Sequence, residues 1–181
     1  MQIDHYTVTP VALPAESGAC QLYKATNLAD AYAVPLPEGT STNPELLARF
    51  IFAQQSPWIS GLMRVRDALV ARFGLKTSGQ LMKADGLASA NRIGLFKIYN
   101  RSTHEIIMGE DDKHLDFRLS LLYQVRPSAV SSPRLILSTV VHCHNRLGRT
   151  YIFIIAPFHR LIVQSMLRRA SRIGWPKATS T

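Results

Sequence analysis

The chain of 181 residues is long enough for one domain with a sizeable core, and its 46% hydrophobic and 18% charged residues exclude a disordered protein. Cys20 and Cys143 lie far apart and do not have the spacing of a metal or redox motif. One disulfide between them stays an alternative. The N-terminus lacks the layout of a signal peptide, and the longest apolar run, residues 151–158, is too short to span a bilayer. We therefore expect one cytoplasmic domain over residues 1–181.

The net charge of +9 is unevenly distributed. Residues 1–116 hold eleven Lys and Arg and all twelve Asp and Glu, whereas residues 117–181 hold ten Lys and Arg and no Asp or Glu. Such an asymmetry allows a weak contact with an anionic membrane or an acidic protein, but a solvated surface that pairs with the acidic part of the chain is favoured. Because no nucleic-acid motif or aromatic–arginine pattern accompanies the charge, we expect no nucleic-acid partner.

The first elements in chain order are an irregular segment and a short strand. Residues 1–29 are predicted to be irregular, and residues 30–36 to form a strand. Since Pro35 cannot donate a hydrogen bond to a neighbouring strand, and Pro37 follows closely, the pattern limits this strand to a sheet edge.

Two short helices and a long loop are predicted next. Residues 41–45 combine a capping residue, a proline in the first turn and a carboxylate near the positive end of the helix dipole. Residues 56–58 repeat this signal and begin a second helix that ends at Gly74. Residues 76–92 then form a long loop, of the kind that often covers a binding site.

Four strand-like runs follow, at residues 93–99, 105–108, 115–125 and 135–144. Their short connections indicate an antiparallel meander rather than parallel crossovers. The third run alternates between apolar and polar residues, so one face is expected to be buried and the other polar.

A long helix ends the chain. Residues 151–158 are apolar nearly all round, which predicts burial on more than one side, and Pro157 predicts a kink near Phe153. Beyond Val163 the helix becomes amphipathic and arginine-rich. A strand, two short helices, an antiparallel meander and a long C-terminal helix together are typical of an α+β helix-grip (Bet v 1/START-like) fold, in which a curved sheet wraps around the helix.

Several stretches carry a family resemblance: residues 57–58, 62–66, 73–76, 108–118 (MGEDDKHLDFR), 139–145 (TVVHCHN), 147–151, 157–160 and 162–163. They resemble a bacterial family, domain of unknown function 2867 (DUF2867), which is grouped with the polyketide-cyclase/START-like (SRPBCC) superfamily. The resemblance covers most of the chain. Members of the superfamily bind lipids, sterols or polyketides, or catalyse cyclisation and dehydration. The resemblance therefore implies an apolar or aromatic ligand, although fold analogy is a weak guide to function.

Polar residues suggest two further sites on the strands, and a third at the start of the last helix. The acidic run at residues 109–112 is interpreted as a solvated turn in preference to a cation site. His142 and His144 share one face of a strand, and Asp116 lies on the strand that pairs with it. With His114 and Arg118 they would suit zinc or acid–base chemistry if they faced the helix, but a polar ladder on the outer face is favoured.

The start of the last helix, residues 145–149, is equally consistent with an anion site and with a plain capping turn. Candidate ligand-binding residues are the aromatic side chains and one arginine that could line a cavity, although aromatic residues are more often plain core. They are Trp58, Phe96, Phe117, Tyr151, Phe158 and Arg149.

The sequence therefore predicts the binding of a small hydrophobic or amphiphilic molecule between the sheet and the last helix. The alternative is a cyclase or dehydratase that uses His142, His144 and Asp116, which would have to face the cavity. No cofactor and no metal ion is expected.

Overall fold

The structure is a computed structural model that describes residues 7–54, 61, 91–125 and 132–178. The predicted second helix, apart from residue 61, and the predicted loop 76–92, apart from residues 91 and 92, lie outside these residues. The described strands are β1 (Thr9–Val11), β2 (Leu28–Pro35), β3 (Arg92–Ile93), β4 (Phe96–Arg101), β5 (Glu105–Asp111), β6 (Leu115–Gln124) and β7 (Arg134–Cys143). The helices of the described part are a short 3-10 helix (Gly18–Gln21), α1 (Pro44–Ala53) and α2 (Arg146–Ile173).

The seven strands form one antiparallel sheet in the order β1-β2-β7-β6-β5-β4-β3. Strands β4 to β7 pair with their neighbours in sequence, which confirms the predicted meander. The described part of the chain is therefore an α+β structure, with one sheet, a short helix and a long C-terminal helix. We call the sheet face that contacts α2 the inner face, and the opposite face the outer face.

Three predictions about the strands are wrong. Strand β2 is not at the edge, because β1 pairs with residues 31–33 from within the segment predicted to be irregular. The predicted strand 93–99 is two strands joined at Gly94, whose φ of 58° permits the tight turn. The predicted turn 109–112 lies mostly in β5, where a Cβ on Gly109 would stand 2.1 Å from the Phe117 carbonyl oxygen. Glycine thus allows the close approach of two strands there.

Helix α1 begins as predicted. The Asn43 side chain accepts hydrogen bonds from the backbone N–H groups of Glu45 and Leu46, and Pro44 occupies the first turn. Hydrogen bonds from Arg49 lower the pKa of Glu45 below its ordinary value, and Arg101 of β4 pairs with the same carboxylate. This carboxylate therefore connects α1 to β4.

Helix α2 begins at a tightly packed turn. The Asn145 side chain accepts a hydrogen bond from Gly148 N–H, as a helix cap does, and donates one to His114 Nδ1. A Cβ on Gly148 would stand 2.3 Å from the His114 carbonyl oxygen, so the helix can approach β6 this closely only because the residue is glycine. Pro157 lies inside the helix, and the kink stays a prediction.

Within the described residues, α2 is long and apolar enough to cross a membrane, with a mean hydropathy of 1.3 over 18 residues, of which 22% are buried. The prediction that residues 151–158 are buried on more than one side is wrong. Phe153 is 83% exposed and Ile154 is 52% exposed, because the described elements cover only the sheet-facing side of the helix.

The N-terminal segment covers the outer face. Glu105 of β5 is buried there, accepts hydrogen bonds from the hydroxyls of Ser17 and Ser120, and accepts another from Gly18 N–H. Because a buried carboxylate is costly unless it is hydrogen-bonded, the donors from Ser17 and Gly18 attach the 3-10 helix firmly to the sheet.

The close contact at Gly148 gives a stability prediction. We expect Gly148→Ala to lower the free energy of unfolding by about 2 kcal/mol or more, because the backbone of α2 must move away from the His114 carbonyl. Chemical denaturation measures this change. The neighbouring Arg149 is exposed, so Arg149→Ala serves as the control and should change stability little. Equal effects of the two substitutions would contradict the packing described here.

Candidate functional site

Helix α2 is buried against the sheet near its two ends but not in its middle. Its buried residues are Gly148 and Ile152 near the start, and Val163, Met166, Leu167, Ala170 and Ser171 in the second half. Between Ile152 and Val163 no residue of the helix is buried, over a length of about 16 Å. The two ends accordingly pack on two separate apolar clusters of the inner face.

The middle of the helix stands over a carboxylate. Asp30 projects from β2 on the inner face, and its oxygens lie 3.4 Å from His159 Nε2 and 3.5 Å from Arg160 Nε. The Asp30 side chain is 12% exposed and that of His159 is 20% exposed. Both contacts are within ion-pair distance, but neither carboxylate oxygen has a hydrogen bond within the described part of the chain.

Thr139 adds a hydroxyl to this group. It is the residue of β7 that pairs directly with Asp30, so both side chains project from the inner face, and it is 2% exposed. The Thr139 hydroxyl and His159 Nε2 are also buried without a hydrogen bond among the described residues. Buried polar atoms in proteins are nearly always hydrogen-bonded. Asp30, Thr139 and His159, which we call the inner polar group, therefore retain unused hydrogen-bonding capacity.

Apolar side chains lie on both sides of the inner polar group. Phe117 of β6 packs against both apolar clusters, and Tyr151 of α2 packs against the smaller one. On the other side, Ile162 packs against the larger cluster. The region under the middle of α2 thus combines apolar walls with a few polar atoms, as small-molecule sites do.

Comparison with known proteins identifies the family of the chain. The family profile described as "Protein of unknown function (DUF2867)" matches residues 22–166, which is more than half of the sequence. The chain belongs to the DUF2867 family. Comparisons with curated proteins and with solved structures found no match. All three residues of the inner polar group lie within the region that matches DUF2867.

The predicted ligand-binding residues of this DUF2867 chain are not all brought together. Phe96 and Phe117 meet edge to face on the inner face, with ring centroids 5.7 Å apart, and Phe96 also contacts Phe52. Phe117 is a diagonal neighbour of Thr139 on the inner face, and Tyr151 packs against the smaller apolar cluster. Phe158 is 44% exposed, and Arg149 is exposed at the start of α2. Trp58 lies outside the described residues.

The candidate acid–base residues lie on the outer face. Asp116 pairs directly with His142, and its carboxylate is 3.1 Å from His144 Nε2. His142 Nδ1 donates to the Ala25 carbonyl, and its ring stacks on Tyr23 at 5.5 Å. The sheet therefore separates these histidines from α2. An enzyme that used these residues would need their side chains to face α2, and they face the other way.

A second polar cluster occupies the same face. Arg118 Nη1 is 2.7 Å from Asp111 Oδ1, the Tyr99 hydroxyl donates to Asp111 Oδ2, and the Arg118 guanidinium lies 3.6 Å from the centre of the Tyr99 ring. Burial acts to raise the pKa of Asp111, but the hydrogen bonds from Arg118 and Tyr99 lower it overall. Burial and the hydrogen bond to Asp111 raise the pKa of Tyr99. These charges satisfy one another, which indicates a structural role.

Neither cysteine has the lowered pKa of a reactive thiol. Cys20 and Cys143 are free thiols rather than a disulfide, and burial raises the pKa of both. Within residues 7–54, 61, 91–125 and 132–178, no group of three or more His, Cys, Asp and Glu side chains is placed to hold a metal ion.

The inner polar group was missed by the sequence reasoning, although the sequence holds signals for it. His159 follows Ile152 by seven residues and precedes Val163 by four, so helical spacing puts it on the buried side of α2. Thr139 interrupts the alternation of Leu135, Leu137 and Val141 in β7. A polar residue at a position where the pattern expects a buried apolar one was the signal that could have identified this group.

The Tyr99–Asp111 hydrogen bond predicts a pH dependence. Because the folded state raises the pKa of Tyr99 above its ordinary value of 10.0, this phenol stabilises the fold below that pH. The contribution is lost as the pH rises further, since the unfolded chain then binds fewer protons than the folded one. We expect Tyr99→Phe to reduce the loss of stability between about pH 9 and about pH 11.

Asp111→Asn provides the control, because it retains the phenol but removes the charge that Tyr99 faces. We expect phenolate absorbance in the near ultraviolet to appear at lower pH in this variant than in the native protein. A titration curve that is unchanged by Asp111→Asn would contradict the assigned cause.

Proposed function

We propose that the sheet and α2 form a helix-grip fold and that the protein binds a small hydrophobic or amphiphilic molecule between them. The ligand would lie on the inner face under the middle of α2. The observation that carries the proposal is the inner polar group, whose buried atoms have no hydrogen-bond partner in the described part of the chain. Leaving such atoms unsatisfied costs free energy of about 1–3 kcal/mol each, so a bound molecule that satisfies them would stabilise the fold.

The chemistry of the inner polar group indicates what kind of molecule would fit. The Asp30 oxygens accept hydrogen bonds, the Thr139 hydroxyl can donate or accept, and Phe117 offers apolar surface on the neighbouring strand. A ligand with an apolar or aromatic body and one hydrogen-bond donor would match both parts. A purely apolar ligand would leave the Asp30 oxygens without a donor.

The proposal concerns binding rather than catalysis. The His144–Asp116 pair that acid–base chemistry would use lies on the outer face of the sheet. On the inner face, the Arg160 guanidinium lies 3.5 Å from Asp30 and compensates its charge, which favours a role in anchoring a ligand.

A matched pair of probes tests the proposal. Aminoanthracene is a neutral aromatic amine whose fluorescence rises in apolar sites, and anthracene has the same apolar body without the donor. We expect the native protein to bind aminoanthracene about fivefold or more tightly than anthracene, because only the amine can donate to Asp30 and Thr139. Fluorescence titration of both probes measures this ratio. Native mass spectrometry of the freshly purified protein should also reveal a retained hydrophobic molecule.

Thr139→Val is the informative variant, because it removes the hydroxyl without changing the size of the side chain. We expect it to weaken aminoanthracene binding about fivefold, to leave anthracene binding unchanged, and to maintain or increase the stability of the ligand-free protein. Ser138→Ala is the control, since Ser138 is buried on the outer face of the same strand. Failure of the native protein to bind either probe would refute the proposal, and so would equal effects of the two variants.

A further inference from the structure

The side of α2 that faces away from the sheet is apolar and exposed. Phe153 is 83% exposed, Leu161 59%, Ile154 52% and Phe158 44%. Phe153, Pro157 and Leu161 follow one another at intervals of four residues, and Ile154 and Phe158 repeat the interval one residue later, so all five lie along one side. We call these residues the apolar patch of α2. Its span, from Phe153 to Leu161, is about 12 Å along the helix axis.

Exposed arginines lie at both ends of the apolar patch. Arg146 and Arg149 precede it, and Arg168 and Arg172 follow it. Helical spacing places Arg168 and Arg172, seven and eleven residues after Leu161, on the same side of the helix as the patch. Helix α2 contains no Asp or Glu, and neither does the rest of the sequence from residue 117 onward. This surface is therefore apolar in its centre and positively charged at both ends.

The charge pattern discriminates between the partners that an exposed apolar surface could have. A second copy of the chain would place arginines against arginines, in a parallel or an antiparallel arrangement, with no carboxylate on α2 to compensate them. A nucleic acid would satisfy the arginines but would leave Phe153, Ile154 and Leu161 without an apolar partner. The surface of an anionic bilayer offers both phosphate groups and acyl chains, as interfacial helices require.

The geometry favours a helix that lies on the membrane rather than one that crosses it. The opposite side of α2 is part of the protein core, where Leu167 and Ala170 are 0% exposed and Val163 is 5% exposed. A helix that crossed the bilayer would have to detach these residues from the larger apolar cluster.

We propose that the apolar patch of α2 binds the surface of an anionic lipid bilayer, with the helix axis parallel to the membrane plane. Phe153, Ile154 and Leu161 enter the boundary between head groups and acyl chains, while the arginines at the two ends contact lipid phosphates. This inference is independent of the proposed ligand, because the inner polar group lies on the other side of the helix.

Co-sedimentation with vesicles tests the inference. We expect the native protein to bind vesicles of phosphatidylcholine with about 30% phosphatidylglycerol at least tenfold more tightly than vesicles of phosphatidylcholine alone. Raising the salt concentration from about 0.1 M to about 0.5 M should weaken the binding, because the screening length becomes shorter. Equal binding to both kinds of vesicle would overturn the role of the arginines.

Two pairs of variants separate the apolar and the charged contributions. The double variant Phe153→Ser with Leu161→Ser should weaken vesicle binding about tenfold or more, whereas Leu22→Ser, at an exposed apolar residue outside α2, should not change it. The double variant Arg168→Gln with Arg172→Gln should weaken binding about fivefold for each arginine. Lys24→Gln, at an exposed lysine outside α2, is its control.

Measurements without lipid distinguish the other occupants of the patch. A concentration-dependent dimer that Phe153→Ser abolishes would assign the patch to a second copy of the chain and overturn the inference. A loss of stability on Phe153→Ser as large as that of a core substitution would mean that the chain itself covers the patch, which would also overturn it. We expect a monomer whose stability changes little.

Discussion

The attachment of α2 to the sheet near its two ends is the constraint on which the rest of the structure depends. At the start, Gly148 lets the helix backbone reach the carbonyl of His114, and in the second half the side chains from Val163 to Ala170 enter the larger apolar cluster. The three helical turns between these points carry no buried residue. They contact the sheet through polar side chains instead, because His159 and Arg160 lie 3.4 Å and 3.5 Å from the Asp30 oxygens. The same arrangement leaves the opposite side of these turns exposed as the apolar patch.

The two faces of the sheet use their polar residues differently. On the outer face, Arg118, Asp111 and Tyr99 satisfy one another, and Glu105 receives donors from the N-terminal segment. On the inner face, the Asp30 oxygens and the Thr139 hydroxyl are buried without a hydrogen bond among the described residues, and on the outer face the same holds for the hydroxyls of Ser138 and Tyr23. The inner face differs because its unsatisfied atoms include a carboxylate, with a hydroxyl and an imidazole nitrogen beside it. A buried carboxylate without hydrogen bonds costs more free energy than a lone hydroxyl does. This contrast directs the functional proposal to the inner face.

Much of the fold followed from local patterns. The cap of α1, the meander from β4 to β7 and the membership of DUF2867 were predicted, and a cap at α2 was one of two alternatives left open. Capping residues, alternation and family motifs are properties of neighbouring residues. The errors arose where distant segments meet. Gly109 belongs to a strand and not to a turn because β6 approaches it closely, and β2 is an inner strand because residues 9–11 cover its edge.

The candidate site shows the same division. The sequence by itself determined that the polar residues Asp30, Thr139 and His159 interrupt apolar patterns, and that the last third of the chain is basic. It did not determine that these three residues meet, because Asp30 lies more than a hundred residues before the other two in the chain. Only strand register and helix packing bring the three together. For the same reason the apolar run 151–158 did not reveal which of its sides would be covered. Hydrophobicity shows that a side chain favours burial, but whether another element is available to bury it depends on the tertiary structure.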